Sequence, residues 1–279
     1  MTHNMKRWTI TAMIMTVMLV ASIGISSAAY TYGTQTGSFT LNGVTVIAKS
    51  NGGGTHYEPI GPYGLQYECV EYVNRFYGEA LHHYSMYTHS AKNYYSTASS
   101  YGLNAYPNSG TEKPKIGDIL CSNYGTYGHV AIVRAVTSSS VTVIEQNFLS
   151  TNYDNQHVIS MSSSGGIYKV NSFNKDGKYP VYGWLRKPVT LTVSPSSGRQ
   201  GMAFTFSGNG YVPNGVVEYH VKKPNNIEFP VTTLTASGSG AITYRYPSTT
   251  ASMTGTYTIW AVDKSTGRQS KNVPETITR

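Results

Sequence analysis

At 279 residues, 39% of them hydrophobic, the chain has room for roughly two domains of 100 to 150 residues, which excludes a wholly disordered or collagen-like polymer. Charged residues make up only 12% while Tyr numbers 24 and Gly 28, so polarity rests on hydroxyls and amides, the composition expected of an exported, β-rich protein. Two cysteines with no Cys-x-x-Cys spacing exclude a disulfide-scaffolded mini-protein and a zinc ribbon, and leave one bridge or one reactive thiol.

Lys6 and Arg7 precede an apolar stretch from Trp8 to Ile25 and then Ser26, Ser27, Ala28 and Ala29, the order of parts in a secretory signal. Residues 1–29 are therefore expected to be a signal peptide and the rest to be secreted. An uncleaved anchor is the alternative, because the apolar stretch approaches the length of a membrane span. Of the formal charge of +8, two cations belong to the signal, so 19 Lys and Arg against 13 acids leave +6. A basic exported surface favours anionic partners, with weak association to a wall or membrane surface. Dense Lys/Arg clusters interleaved with aromatics are missing, which argues against nucleic acid as a partner.

Residues 30 to 60 contain Gly-rich turns and one predicted strand, Gly43 to Ala48. From Tyr67 to Tyr77 a 3.6-residue period places Cys69, Val70, Val73, Phe76 and Tyr77 near one helix face, with Glu71, Asn74 and Arg75 elsewhere. Gly78 is expected to close that helix, and Cys69 lies in its first turn. Lys115 to Cys121 reads as a turn entering a strand, and Gly128-His129 opens a second strand to Val136. After the serine turn at 138–140 a third strand alternates, so that Val141, Val143, Glu145 and Asn147 share a face. Pairing about that turn brings His129 opposite the far end of the third strand, within about two residues. Near residues 186–195 the chain changes character. About 90 residues of short alternating runs punctuated by Gly, Pro, Asn and Ser follow, the pattern of a small antiparallel β-sandwich, here residues 189–279.

A cysteine at a helix N-terminus beside an imidazole is a nucleophile in the making, since both features favour the thiolate. Its base needs a carboxylate or amide on the other ring nitrogen to hold the tautomer. Cys69, His129 and Glu145 supply these three types, with Asn147 as a second polar group on the Glu145 face. The chemistry they fit is acyl transfer. Taken singly, the same residues read differently: Cys69 as a core residue or as half of a Cys69–Cys121 bridge, His129 as a structural residue, Glu145 and Asn147 as a solvated face. His82, His83 and His89 lack a surrounding carboxylate or thiolate set and read as surface histidines, so no metal is expected. Gly52 to Gly54 lacks the Lys-Ser/Thr of a phosphate loop, so no nucleotide cofactor is expected either.

GLQYECVEYVNRFY at 64–77, KIGDIL at 115–120, YGHVAIV at 127–133, VIEQN at 143–147 and VYGWLRKP at 181–188 together resemble the CHAP family of cysteine, histidine-dependent amidohydrolases and peptidases. The resemblance covers about Gly61 to Pro188. It implies an α+β, papain-like catalytic domain over residues 30–188, in which a helix packs on a small antiparallel sheet. It also implies cleavage of peptidoglycan amide bonds, as an N-acetylmuramoyl-L-alanine amidase or an endopeptidase. Carried over, the family's nucleophile falls on Cys69, its histidine on His129, its acid on Glu145 and a supporting polar residue on Asn147. Many members have Gln where this chain has Glu68. Cys121 takes a position that is usually aliphatic, so a small buried hydrophobe is expected there, and Asp118 is expected to serve its turn. The second domain is similar to bacterial immunoglobulin-like modules, which suits a wall-binding or spacer role. Two other functions fit the same sequence: a non-catalytic surface adhesion protein, and an amidase of glutathionylspermidine-type amides, which export disfavours.

Overall fold

The computed structural model describes residues 31–52, 59–86, 90–148 and 156–279. The expected signal peptide and His89 lie outside these residues. Among the described residues the chain is mostly β-strand with one α-helix, and no helix there is long and apolar enough to cross a membrane.

A hairpin of β1 (Gln35–Leu41) and β2 (Val44–Lys49) comes first, followed by the two-residue strands β3 (Ile60–Gly61) and β4 (Gly64–Leu65). The helix α1 (Cys69–Leu81) comes next and packs against β2 and the central strand β7. A seven-stranded sheet is then built from β5 (Asn104–Pro107), β6 (Ile119–Ser122), β7 (His129–Val136), β8 (Ser140–Ile144), β9 (Gln156–Ser164), β10 (Ile167–Val170) and β11 (Gly183–Arg186). Its spatial order is β10-β9-β8-β7-β6-β11-β5, antiparallel throughout. β9 and β10 were not expected from the sequence; their serine-rich alternation, with Ile159 and Met161 inward, carries little apolar signal.

The sheet is buried on both faces. Ile119, Cys121, Val130, Ile132, Ile144 and Leu185 face α1 and the hairpin, whereas Leu120, Ala131, Val133, Val141, Val143 and Trp184 form a second core with Phe173 on the other side. The two-residue strand period produces this division. His129 belongs by that alternation to the face of Ala131 and Val133, and Glu145 to the face of Val141 and Val143.

One expectation for α1 needs correction. Gly78 does not close the helix, which runs to Leu81 and ends in a left-handed His82. A Cβ at Gly78 would lie 2.8 Å from the Tyr63 ring and 3.2 Å from that of Tyr84, so glycine serves there for close packing. Glu71 and Asn74, which lie off the apolar face, are as buried as the residues on it, and both are held by hydrogen bonds.

Past residue 189, β12 (Thr190–Ser194), β14 (Ala203–Asn209) and β17 (Ile242–Pro247) form one sheet. The facing sheet contains β13 (Ser197–Arg199), β15 (Val216–Lys222), β16 (Thr232–Thr235), β18 (Gly255–Asp263) and β19 (Val273–Thr278). Leu191, Phe204 and Phe206 from the first meet Val217, Tyr219, Ile259 and Ala261 from the second in an immunoglobulin-like sandwich. The sandwich is docked on the rest of the chain: Val212 joins the α1 core, Asn42 Nδ2 donates to Pro213 O at 2.7 Å, and Lys115 Nζ donates to Gly267 O at 2.5 Å.

Gly128 precedes His129 with φ +71°. A Cβ there would lie 2.5 Å from Ser122 O and 2.7 Å from both Lys92 N and Lys92 Cα, all backbone atoms that cannot swing away. Gly128→Ala is expected to cost about 2 kcal/mol or more, and to lower the thermal midpoint by about 5 °C, from combined strain and overlap. A melting curve matching the wild type would contradict this.

Candidate active site

Cys69 is the first residue of α1, and the residue before it, Glu68, makes no side-chain cap. The first-turn N–H groups and the positive end of the helix dipole are thus presented at Cys69. The cysteine is 8% exposed, and His129 and Glu145 are 2% each, so the cluster is almost withdrawn from water.

The three residues form a chain of contacts. Glu145 Oε2 lies 2.5 Å from His129 Nε2, and Cys69 stands close enough to the same ring to raise its pKa. With Nε2 taken by Glu145, Nδ1 is the ring nitrogen left to face the sulfur. Phe148 and Phe173 enclose the imidazole, with centroids 4.5 and 5.0 Å away, the second edge-on. Burial by itself would lower the His129 pKa, but the Glu145 carboxylate and Cys69 outweigh it and hold the ring up to about 10. Burial would likewise raise Glu145, yet its pKa is lowered because His129 and His157 both stabilise the anion. The structure therefore brings Cys69, His129 and Glu145 together.

Asn147 is not part of this chain. β8 ends at Ile144, and Asn147 adopts φ 48°, which breaks the strand alternation and turns its side chain away. Asn147 Nδ2 donates to both Glu68 carboxylate oxygens at 2.7 Å. The expected support for Glu145 therefore becomes a tether for Glu68.

Gln146, fully buried, does more than its quoted motif suggested. Its Nε2 donates to Glu68 O at 3.1 Å and Glu71 Oε2 at 2.8 Å, and its Oε1 accepts from Lys49 N at 2.9 Å and Arg75 Nη2 at 3.0 Å. Strand alternation was the available signal, since a residue between Glu145 and Asn147 points to the helix side. His157 was also missed. It pairs across from Val143 on β9, and its Nδ1 lies 2.8 Å from Glu145 Oε1.

Cys121 is a free thiol in the core, as is Cys69, so the two are not bridged. Burial drives the Cys121 pKa far up, with the nearby Cys69 adding to it, and its Sγ rests on Ile119 O at 3.7 Å. Asp118 holds its turn through Lys115 N and also receives Arg186 Nε and Nη2, each at 2.9 Å. His83 Nε2 is engaged with Tyr101 O at 2.8 Å, and His82 caps α1. Among the described residues no group of three His, Cys, Asp or Glu is placed to hold a metal.

Among families of known proteins, residues 60–147 match the CHAP domain and residues 186–273 match the Macroglobulin-like domain. No curated protein matches the chain. Solved structures with some similarity include CHIR-AB1, at 18% identity and a TM-score of 0.25, covering 33% of this chain and 98% of that one. The alkylpurine DNA glycosylase AlkC of Pseudomonas fluorescens, bound to DNA containing an abasic-site analogue, is 13% identical at a TM-score of 0.24, over 33% of this chain and 30% of its own. A CARDB domain from Pyrococcus furiosus, in complex with di-metal ions, is 11% identical at 0.22, over 32% of this chain and 87% of its own.

The buried pair gives a pH signature. His129, raised from 6.5 to about 10, contributes stability that is complete below pH 6.5 and is lost as the pH rises through about 10. Glu145, lowered from 4.5, contributes stability that is complete above pH 4.5 and is lost in acid. The stability advantage of the wild type over His129→Gln is thus expected to be largest between pH 4.5 and 6.5 and to shrink toward pH 10. Urea unfolding of both proteins across that range measures it; an advantage that grows with pH contradicts the pairing.

Proposed function

Because the chain carries a CHAP domain at residues 60–147, we propose that it is a secreted cysteine hydrolase that cleaves amide bonds of peptidoglycan, as an amidase or an endopeptidase. The observation that carries this reading is the buried His129–Glu145 pair beside Cys69, which is the first residue of a helix and acts on the His129 ring. One helix packed on an antiparallel sheet, with a cysteine at the helix start and a histidine on a strand, supports a papain-like placement of these groups.

In the proposed reaction the proton of the Cys69 thiol already rests on His129 Nδ1, where Glu145 favours the charged ring, and the sulfur attacks the amide carbon as the anion. The oxyanion forms next to the backbone N–H groups of the first helical turn, Cys69 among them. His129 returns the proton to the departing nitrogen, and the C–N bond breaks to leave an acyl-enzyme. Water, giving its proton to the same ring, releases the acid and restores the sulfur anion beside the charged ring. Glu145 fixes the tautomer and stabilises the ring while it is charged, so no metal is needed for these steps.

Residues 30–188 are the proposed catalytic unit and 189–279 the accessory module. The +6 charge of the part beyond the expected signal supports an anionic wall polymer as partner. Cys69→Ala is expected to abolish loss of turbidity and muropeptide release from cell-wall sacculi while leaving the fold intact by circular dichroism. Activity equal to the wild type would overturn the proposal. Mass spectrometry of the released fragments, read for new N-termini, separates amidase from endopeptidase.

A further inference from the structure

Glu145 has two oxygens, and the run of contacts to Cys69 uses one of them. The other, Oε1, is buried beside His157 Nδ1 at 2.8 Å. We propose that His157 is a positioning residue that fixes Glu145, and through it the His129 ring, in the orientation that presents Nδ1 to Cys69. This rests on reading Cys69, His129 and Glu145 as the catalytic groups, and it gives His157 the part that the sequence assigned to Asn147.

The geometry carries the inference in three ways. A carboxylate held at one oxygen can rotate about its Cγ–Cδ bond, whereas one held at both oxygens by two imidazoles, on the strands that flank β8 on either side, cannot do so without breaking a buried hydrogen bond. His157 reaches Glu145 because it lies opposite Val143, two residues before the acid, so that the β8–β9 register sets the contact. The His157 ring is itself held: Phe148 stacks on it at 5.8 Å and 15°, and Phe173 meets it at 6.3 Å. The same two phenylalanines enclose His129, so a single aromatic wall orients both imidazoles.

The proton on His157 also has one place to go. Its Nε2 is buried and has no hydrogen-bond partner among the described residues, so the N–H that finds an acceptor is the one on Nδ1. The ring is not sealed off from solvent. Its side chain is 26% exposed and borders a groove of about 980 Å³ that Glu145, Phe148, Lys169 and Phe173 also line. The groove offers a route for a small molecule to replace the imidazole.

The test compares the full-length wild type with His157→Ala and His157→Asn by three readouts: Cys69 alkylation by iodoacetamide, muropeptide release, and 15N-edited spectra of the histidine rings. In the wild type a slowly exchanging proton is expected on His157 Nδ1. His157→Ala is expected to slow both alkylation and kcat about tenfold or more, a part of the ~10²–10⁴ that acid–base catalysis supplies, with KM little changed. His157→Asn, which keeps an N–H near the same place, should restore most of the rate, and added imidazole should partly rescue His157→Ala.

A wild-type ring with no proton on Nδ1 overturns the proposal even if neither variant folds. So does a His157→Ala protein that alkylates at the wild-type rate. Equal losses in both variants that follow only the folded fraction, without rescue, mean that His157 merely packs, which overturns it as well. If the wild type releases no muropeptides, the peptidoglycan reading fails, and alkylation and the ring spectra still decide the role of His157.

Discussion

The site depends on one buried amide. Gln146 follows Glu145 directly, and the carbonyl to which it donates, that of Glu68, directly precedes Cys69. Its two N–H groups and its carbonyl oxygen meet the helix entrance, Glu71, Arg75 and the β2 backbone, so its hydrogen-bonding capacity is used in full. A leucine here would leave Glu71 and Lys49 N short of partners, and a glutamate would set a second carboxylate against Glu71. Either change would release the start of the helix from the end of β8, the separation on which any contact between sulfur and imidazole depends.

Burial makes this arrangement demanding. Glu71 is about as withdrawn from water as Glu145, and a buried carboxylate is tolerable only when its lone pairs are occupied. Arg75, one helical turn on, donates to both Glu71 oxygens at 2.7 and 3.2 Å and reaches Ile47 O at 2.8 Å, tying α1 to the hairpin. Charge compensation on the helix side and the His129–Glu145–His157 set on the other face are therefore separate networks, joined at the dipeptide Glu145-Gln146. Strand alternation does the joining: one residue faces the histidines and the next faces the helix.

The same alternation explains what could be read from the sequence. The α1 seam, the His129 strand and the strand leading to Glu145 all announce themselves through period and motif, because each buries apolar residues on a regular repeat. The sequence reading extends that repeat one step too far at Asn147, where the strand has already ended and a left-handed backbone sends the side chain to Glu68. Gly78 misleads for a related reason: a glycine that ends a helix and one that admits two tyrosine rings look alike in a chain of letters. His157 could not be found, since its contact with Glu145 depends on a strand pairing and it lies on a serine-rich segment with little apolar signal.

The far end of the helix is held by a different device. Lys187, in the connection to the sandwich, donates from Nζ to the carbonyl of Leu81, the last residue of α1, at 2.5 Å. A cation at a helix C-terminus opposes the negative end of the dipole, as the amides at Cys69 oppose negative charge at the other end. Burial first, and then Arg268, pushes the lysine pKa down to about 8, so it keeps most of its charge at neutral pH. Arg268 also donates to the Lys187 carbonyl at 3.3 Å and is held by Asp263, so the sandwich positions the residue that caps the helix. With Val212 in the same core, the sandwich acts on the helix through packed contacts rather than as a tethered appendage. Gln146 at one end and Lys187 at the other thus fix both termini of α1, and the cysteine is placed by constraints that originate in both halves of the chain.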